Sequence, residues 1–345
     1  MKRKYILFLI LLLIIFNSCA QDSIFADIAV EPPPIDPRIA GSSTNIVIFN
    51  DGVYMASVGS NTIHVYSMDQ WNTFNAGGRI VGLAATSSKL YALIYYGDDR
   101  LDTALVEWDG NEWTTIDKGD ANSFSIQSIY GTGERLFAGG RTGNSWDVFH
   151  LENNRLSRLI SNSSPLTGAA SIGSDYYIST GGRGIYRASS PGAPIAGSET
   201  NVTGIINVNG TIAAVTWDGR VLVNTGSQFV TRSEDGANYT GAMAVYTQGN
   251  RSFLLIGVQS SGNYNRGYRE LVLDNGLMPT DDRRPVIPGG ENSSVSPENK
   301  SKYEASLARF SVHYIIQVPG EPLIFASTSG RGVYVLRDGL WNAQG

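Results

Sequence analysis

Leu90-Tyr91-Ala92-Leu93, a polar turn, then Leu105-Val106-Glu107-Trp108 running into Asp109-Gly110-Asn111-Glu112-Trp113: this stretch holds the pattern that organises the chain. Each apolar segment is four to six residues long and rich in β-branched and aromatic side chains. Such segments, bounded by Gly, Asn and Asp, read as short strands joined by tight turns. The same words recur on both sides of it. Ile46–Phe49, Val53–Ala56, His64–Tyr66 and Trp71 come before, preceding this unit's own first strand, Ile80–Ala84. Ser125–Tyr130, Leu136–Ala138 and Asp147–Leu151 follow.

Four further units continue the series. They are Ala169–Ile172 with Tyr176–Ser179 and Gly184–Tyr186; Val202–Val208 with Thr211–Val215 and Arg220–Val223; Ala242–Tyr246 with Phe253–Val258 and Tyr268–Leu273; and Ser311–Val318 with Leu323–Ser327 and Gly332–Leu336. Seven units between Ser43 and Gly345 average about 43 residues, the length of a four-stranded propeller blade. The expectation is an all-β protein with a seven-bladed β-propeller over residues 43–345; six or eight blades stay open because the connection Met278–Lys302 is long and irregular. Ser301–Phe310 alone has helical spacing. The last unit stops just after Trp341, so Pro37–Ala40 is expected to supply its outermost strand and close the ring.

The N-terminus gives an address. Met1-Lys2-Arg3-Lys4, an apolar run from Tyr5 to Phe16 and the small residue Ser18 form an export signal over residues 1–18. The run is shorter than the roughly 20 residues needed to span a bilayer. Cys19, the single cysteine of 345 residues, stands directly after it. The arrangement resembles the lipobox of bacterial lipoproteins, relaxed as in spirochaetes: Ser18 fits the usual pattern and Phe16 and Asn17 depart from it. The resemblance implies lipid attachment, with palmitate among the acyl groups, at Cys19 and a membrane lipoprotein on the periplasmic or outer surface of the cell. Residues 19–42, with Pro32-Pro33-Pro34 and Pro37, read as a tether.

Composition excludes several classes. One Cys leaves no disulfide framework, Cys-based zinc site or iron–sulfur cluster, and three scattered histidines (His64, His150, His313) lack metal-ligand spacing. No metal and no cofactor is expected. Without Lys2, Arg3 and Lys4, the 26 basic residues fall to about 23 against 31 acidic ones, which disfavours nucleic acid as partner. The membrane, through the N-terminal lipid, and a protein or glycan are the expected partners.

One recurrence could bear function. An Arg stands beside Gly between second and third strands: Arg141, Arg183, Arg220 and Arg331, with Arg100 and Arg266 in comparable places. Equivalent blades would gather these guanidinium groups on one face, where they suit carboxylate, phosphate or sulfated sugar. Alternatively, the glycines serve tight turns and the arginines bond neighbouring carbonyls. Ser233–Tyr239 resembles the Asp-box of sialidases, one residue short, and in that family the box is a structural turn. No catalytic residue is assigned. The leading expectation is a binding, scaffold or envelope-assembly protein; a glycan-active enzyme with a central site, sialidase-like or another glycosidase, and a structural surface lipoprotein without ligand are the alternatives.

Overall fold

Alternating apolar residues and left-handed turn residues produce the strands. Asn209-Gly210 (φ 47° and 89°), Asn153-Asn154 (φ 50° and 60°) and Asn50-Asp51 (φ 46° and 58°) each take the two positive-φ positions of a tight hairpin. The structure, a computed structural model, describes residues 39, 41–96, 103–248, 250–259, 267–284, 310–318, 320, 321, 323–337 and 340–343. These all belong to the unit Pro37–Gly345.

The described strands form seven antiparallel sheets, each a meander in chain order. Blade 1 comprises Val47–Phe49, Gly52–Met55, Thr62–Ser67 and Gln70–Asn75. Blade 2 comprises Arg79–Ala85, Leu90–Tyr95, Thr103–Trp108 and Trp113–Thr115. Blade 3 runs Ser125–Thr132, Arg135–Thr142, Ser145–Glu152 and Arg155–Ser163. Blade 4 has three strands, Leu166–Ile172, Asp175–Thr180 and Gly184–Arg187. Blade 5 runs Val202–Val208, Thr211–Thr216, Arg220–Asn224 and Phe229–Glu234. Blade 6 runs Tyr239–Gln248, Arg251–Val258, Tyr268–Asp274 and Met278–Arg284. Blade 7 closes the series with Val312–Gln317, Ile324–Thr328, Gly332–Arg337 and Leu340–Ala343. Seven blades are present, as the repeat length predicts. Among the described residues the one helical element is a 3-10 turn, Gly119–Ala121.

A meander of this kind sets two faces. The turns between first and second strands and between third and fourth strands lie on one side. The 2–3 turns and the blade-to-blade connections lie on the other.

The core lies between blades. Seven separate apolar layers occur, one at each junction of neighbouring sheets. Seven open-ended blades would have six junctions, so the seventh layer is the closure. It packs Val53, Met55 and Tyr66 of blade 1 against Phe325, Val333 and Val335 of blade 7. Tyr66, Trp71 and Phe325 meet edge to face, with ring centroids 5.2–5.9 Å apart.

Three details differ from the sequence expectations. The outermost strand of blade 7 is Leu340–Ala343, pairing Leu336 with Trp341, rather than Pro37–Ala40. The N-terminal segment clasps the ring instead: Ile39 is 1% exposed within the closing layer, Gly332 N–H donates to Gly41 O (2.8 Å), and Val58 N–H donates to Ser42 O (2.9 Å). Ser43 Oγ further donates to Ser327 Oγ at 2.6 Å. The irregular connection expected from Met278 onward begins with a strand, Met278–Arg284, whose Pro279 sits opposite Leu273 on an outer edge that tolerates a missing donor. Residues 285–309, Ser301–Ala308 with them, lie outside the described residues. In blade 4 a segment with Pro191 and Pro194 takes the outer position, held where Ile195 N–H donates to Ile185 O (2.7 Å).

Ile39 has no strand partner, so its contribution is burial. Ile39→Ala is expected to lower the unfolding free energy by about 2–5 kcal/mol in urea titration. An unchanged midpoint would remove the N-terminal clasp from the closure.

Candidate functional site: the central channel and the face of the 2–3 turns

The innermost strands share an irregularity that shapes the axis. Their pairing with the second strand slips between Ile80 and Gly82, Ile126 and Ser128, Leu166 and Gly168, and Val202 and Gly204. It slips again between Tyr239 and Met243 and between Val312 and Tyr314. Blade 1 gains its extra residue between the Ser43–Ser57 bridge and the Val47–Tyr54 pair. A bulge leaves backbone groups without ladder partners. Neighbouring hydroxyls take several of them across the junctions. Ser128 Oγ donates to Leu166 O (3.2 Å), Thr167 Oγ1 to Val202 O (2.9 Å), Thr103 Oγ1 to Ile126 O (3.2 Å) and Thr240 Oγ1 to Val312 O. The bulges thus act as inter-blade connectors. Glycine is required where they approach most closely: a Cβ on Gly204 would lie 2.2 Å from Gly241 O.

These strands enclose a channel of about 700 Å³ to which all seven blades contribute. Asn45, Thr167, Thr203, Thr240 and His313 ring its end near the 2–3 turns, and Tyr130 and Tyr314 also line it. Burial first, and then the neighbouring Tyr314, raises the Tyr130 phenol well above its ordinary value. Burial lowers the His313 imidazole, so it is neutral at pH 7. Among the described lining residues there is no Asp, Glu, Lys or Arg. Glycoside hydrolysis generally uses two carboxyl groups flanking the bond, and this lining offers neither. No group of three or more His, Cys, Asp or Glu among the described residues is placed to hold a metal ion.

The arginines of the sequence pattern lie in or beside the 2–3 turns of blades 3, 4, 5 and 7, hence on one face. Arg141 is exposed; its Nε donates to Gly143 O (2.8 Å) and its guanidinium lies 5.7 Å from the Trp146 ring centre. Arg331 is exposed, 5.7 Å from the Phe310 ring centre. Arg183 is exposed in a turn whose Gly182 and Gly184 have φ 128° and 94°. Arg220 is committed locally: Nη2 lies 2.9 Å from Asp218 Oδ2 and donates to Thr200 Oγ1 at 2.8 Å. Burial opposes ionisation of Asp218, but hydrogen bonds from Thr216 and Arg220 hold its carboxyl below the usual value. The turn reading of the glycines therefore fits, and three guanidinium groups are turned to solvent with no acid paired to them among the described residues. Cys19, Arg100 and Arg266 lie outside the described residues.

The stretch Ser233–Tyr239 is a structural connection. Asp235 Oδ1 accepts from Ala237 N–H (2.8 Å), and Oδ2 pairs with Arg269 Nε (2.9 Å). Sequence reasoning missed the channel ring. Its signal was present as Leu166-Thr167-Gly168, Val202-Thr203-Gly204 and Tyr239-Thr240-Gly241, one per blade in blades 4 to 6. Exposed Val58, Tyr96 and Trp217, on the arginine face, were likewise not singled out as one set.

No family model matches the chain, and no curated protein matches it in sequence. Solved structures match in fold. The WD40 β-propeller domain of Doa1 is similar with TM-score 0.57 and 12% identity, covering 88% of this chain and 95% of that one. A chain of the mitotic checkpoint complex has TM-score 0.59 and 11% identity, covering 90% and 91%. YCF48 from Cyanidioschyzon merolae has TM-score 0.52 and 12% identity, covering 88% and 96%. At such identity the likeness concerns fold alone.

His313 makes the channel pH-sensitive. Its lowered folded value means the unfolded chain, near 6.5, binds the proton more readily. Stability is therefore expected to fall as pH drops from 7 toward 5, because no described carboxylate in the lining offsets the new charge. The thermal midpoint of His313→Gln should vary less over this range; an equal slope would assign the loss elsewhere, for example to His150, which burial also lowers.

Proposed function

We propose that this protein is a lipid-anchored, extracytoplasmic β-propeller that acts by binding, as a scaffold or envelope-assembly component, and not by catalysis. The observation that carries the reading is the contrast between axis and surface. The axis, where a propeller enzyme would assemble its acids, is lined among the described residues by apolar side chains, amides, hydroxyls, backbone and one imidazole that burial holds toward its neutral form. The 2–3 turn face instead presents Arg141, Arg183 and Arg331 beside exposed Val58, Tyr96 and Trp217. Arginine and aromatic side chains are the types enriched in interfaces, and exposed guanidinium groups favour an anionic counterpart.

The anchor rests on Cys19, placed directly after the apolar export segment. A diacylglyceryl pair supplies the two chains that stable attachment needs. The membrane is then one partner and a protein or glycan the other. A place in a multiprotein assembly agrees with one of the similar folds, which is part of the mitotic checkpoint complex.

Labelled palmitate should enter the wild-type protein in its native envelope and not Cys19→Ala; equal incorporation would sink the lipoprotein reading. Photocrosslinkers at Trp217 and Tyr96 should capture a discrete partner, macromolecule or lipid, in the native envelope. Crosslinkers at Met68 and Leu277, exposed on the opposite side, should not. The reverse pattern would assign binding to the other face.

A further inference from the structure

Topology, charge and the contacts of the first described residues coincide on one side of the disc. In and beside the described 2–3 turns stand Arg141, Arg183, Arg220 and Arg331; Asp218 there is paired with Arg220 at 2.9 Å, and Glu234 lies opposite Arg220 across the strand pair. The 1–2 and 3–4 turns have the opposite sign. They hold Asp51, Asp69, Asp109, Glu112, Glu134 and Glu321 against Lys89, which is itself bonded to Glu107. Flanking Arg135, Arg155 and Arg251 there are matched by Glu152, Asp175 and Asp274. Some acids of the blade-to-blade connections on the arginine side are engaged: Asp235 lies 2.9 Å from Arg269, and Asp120 accepts the Arg158 backbone N–H at 3.0 Å; Glu199 and Glu234 are exposed.

Apolar exposure follows the same division. Trp217 (42% exposed), Tyr96 (53%) and Val58 (47%) occupy or border 2–3 turns of blades 5, 2 and 1. Isolated arginines with a tryptophan and a tyrosine on one flat face make an interfacial composition: cations for headgroup phosphates, amphipathic rings for the headgroup layer. The first described residues also bond here: Gly332 N–H donates to Gly41 O and Val58 N–H to Ser42 O, both from the 2–3 turns.

We propose that the face of the 2–3 turns is a membrane-resting surface that docks on anionic phospholipid headgroups. This rests on the reading of the arginines as anion-binding and names the anion as the phosphate of the bilayer. Nineteen residues stand between Cys19 and Ile39, a reach of at most about 70 Å. A tether of that length keeps the face at high effective concentration beside the bilayer, so weak contacts suffice to orient the disc. Each exposed arginine near an anionic surface contributes about fivefold in affinity. Among the described turns, Arg141, Arg183 and Arg331 stand exposed on this face, and this local charge is what the net negative charge of the chain leaves available.

The test uses the mature chain from residue 19 with Cys19→Ser, which removes the lipid and makes the result independent of whether Cys19 is acylated. Flotation is measured with vesicles of phosphatidylcholine alone and with about one third phosphatidylglycerol. Binding is expected to the anionic vesicles and not to the neutral ones, and to decline as salt rises from 50 to 500 mM. Arg183→Gln and Arg331→Gln should each weaken it about fivefold, and Trp217→Ala should weaken it without changing its salt dependence. Asp109→Asn on the opposite face should leave it unchanged, and unaltered thermal midpoints would show that every variant is folded. Failure of wild type to float, or equal flotation of the arginine variants, would overturn the proposal. Saturable binding of a heparin hexasaccharide that blocks flotation at micromolar concentration would also overturn it, in favour of a soluble polyanion. A negative palmitate result alone would leave it standing.

Discussion

Burial of apolar side chains between neighbouring sheets is the constraint on which everything else depends. A single four-stranded sheet in water exposes both faces, and each blade must hide them against the blades beside it. The two terminal blades have a neighbour on both sides only if the ring closes. Closure rests on the Tyr66, Trp71 and Phe325 cluster, supplemented by Ile39 from before the first strand. Each fully buried Val, Leu, Ile or Phe contributes about 1.5–3 kcal/mol relative to exposure, so losing this layer would remove several such contributions at once.

Closing the ring crowds the inner strands, and their bulges are the response. A bulge bends the strand and increases its twist. It also frees carbonyls, and the hydroxyls of Ser128, Thr167 and Thr240 cross to the next blade to meet them. Polar contacts near the axis are therefore consumed in holding blades together. The described lining of the channel that remains mixes polar and apolar residues and holds no carboxylate.

The sequence made the architecture legible because propeller blades repeat locally. Words such as Gly332-Val333-Tyr334 and Asp109-Gly110 mark strand and turn within one hairpin, and each hairpin is set by neighbouring residues. Closure was less legible. The packing of Ile39 depends on residues nearly three hundred positions away, and the outermost strand Leu340–Ala343, though a local hairpin with Gly332–Arg337, is too short to stand out at the end of the chain. Pro279 concealed a strand because proline usually ends one, and only its edge position permits it. The Thr-Gly words at Thr167, Thr203 and Thr240 were visible, but their meaning requires knowing that the bulged carbonyl of the next blade lies within reach. The arginine recurrence was visible too; the pairing of Arg220 with Asp218 and the open position of Arg183 were not, since both depend on turn conformation.

Topology divides the turns between two faces. With four strands, a blade begins and ends on the same side, so the chain crosses between blades and makes its 2–3 turns there, and makes its other turns on the opposite side. Arginine at Arg183 and Arg331 and carboxylate at Asp51 and Asp109 match that division. The substitution of one sign for the other would leave the inter-blade layers intact, because none of these side chains is buried. Charge placement on this fold is thus free of the core and available to set orientation.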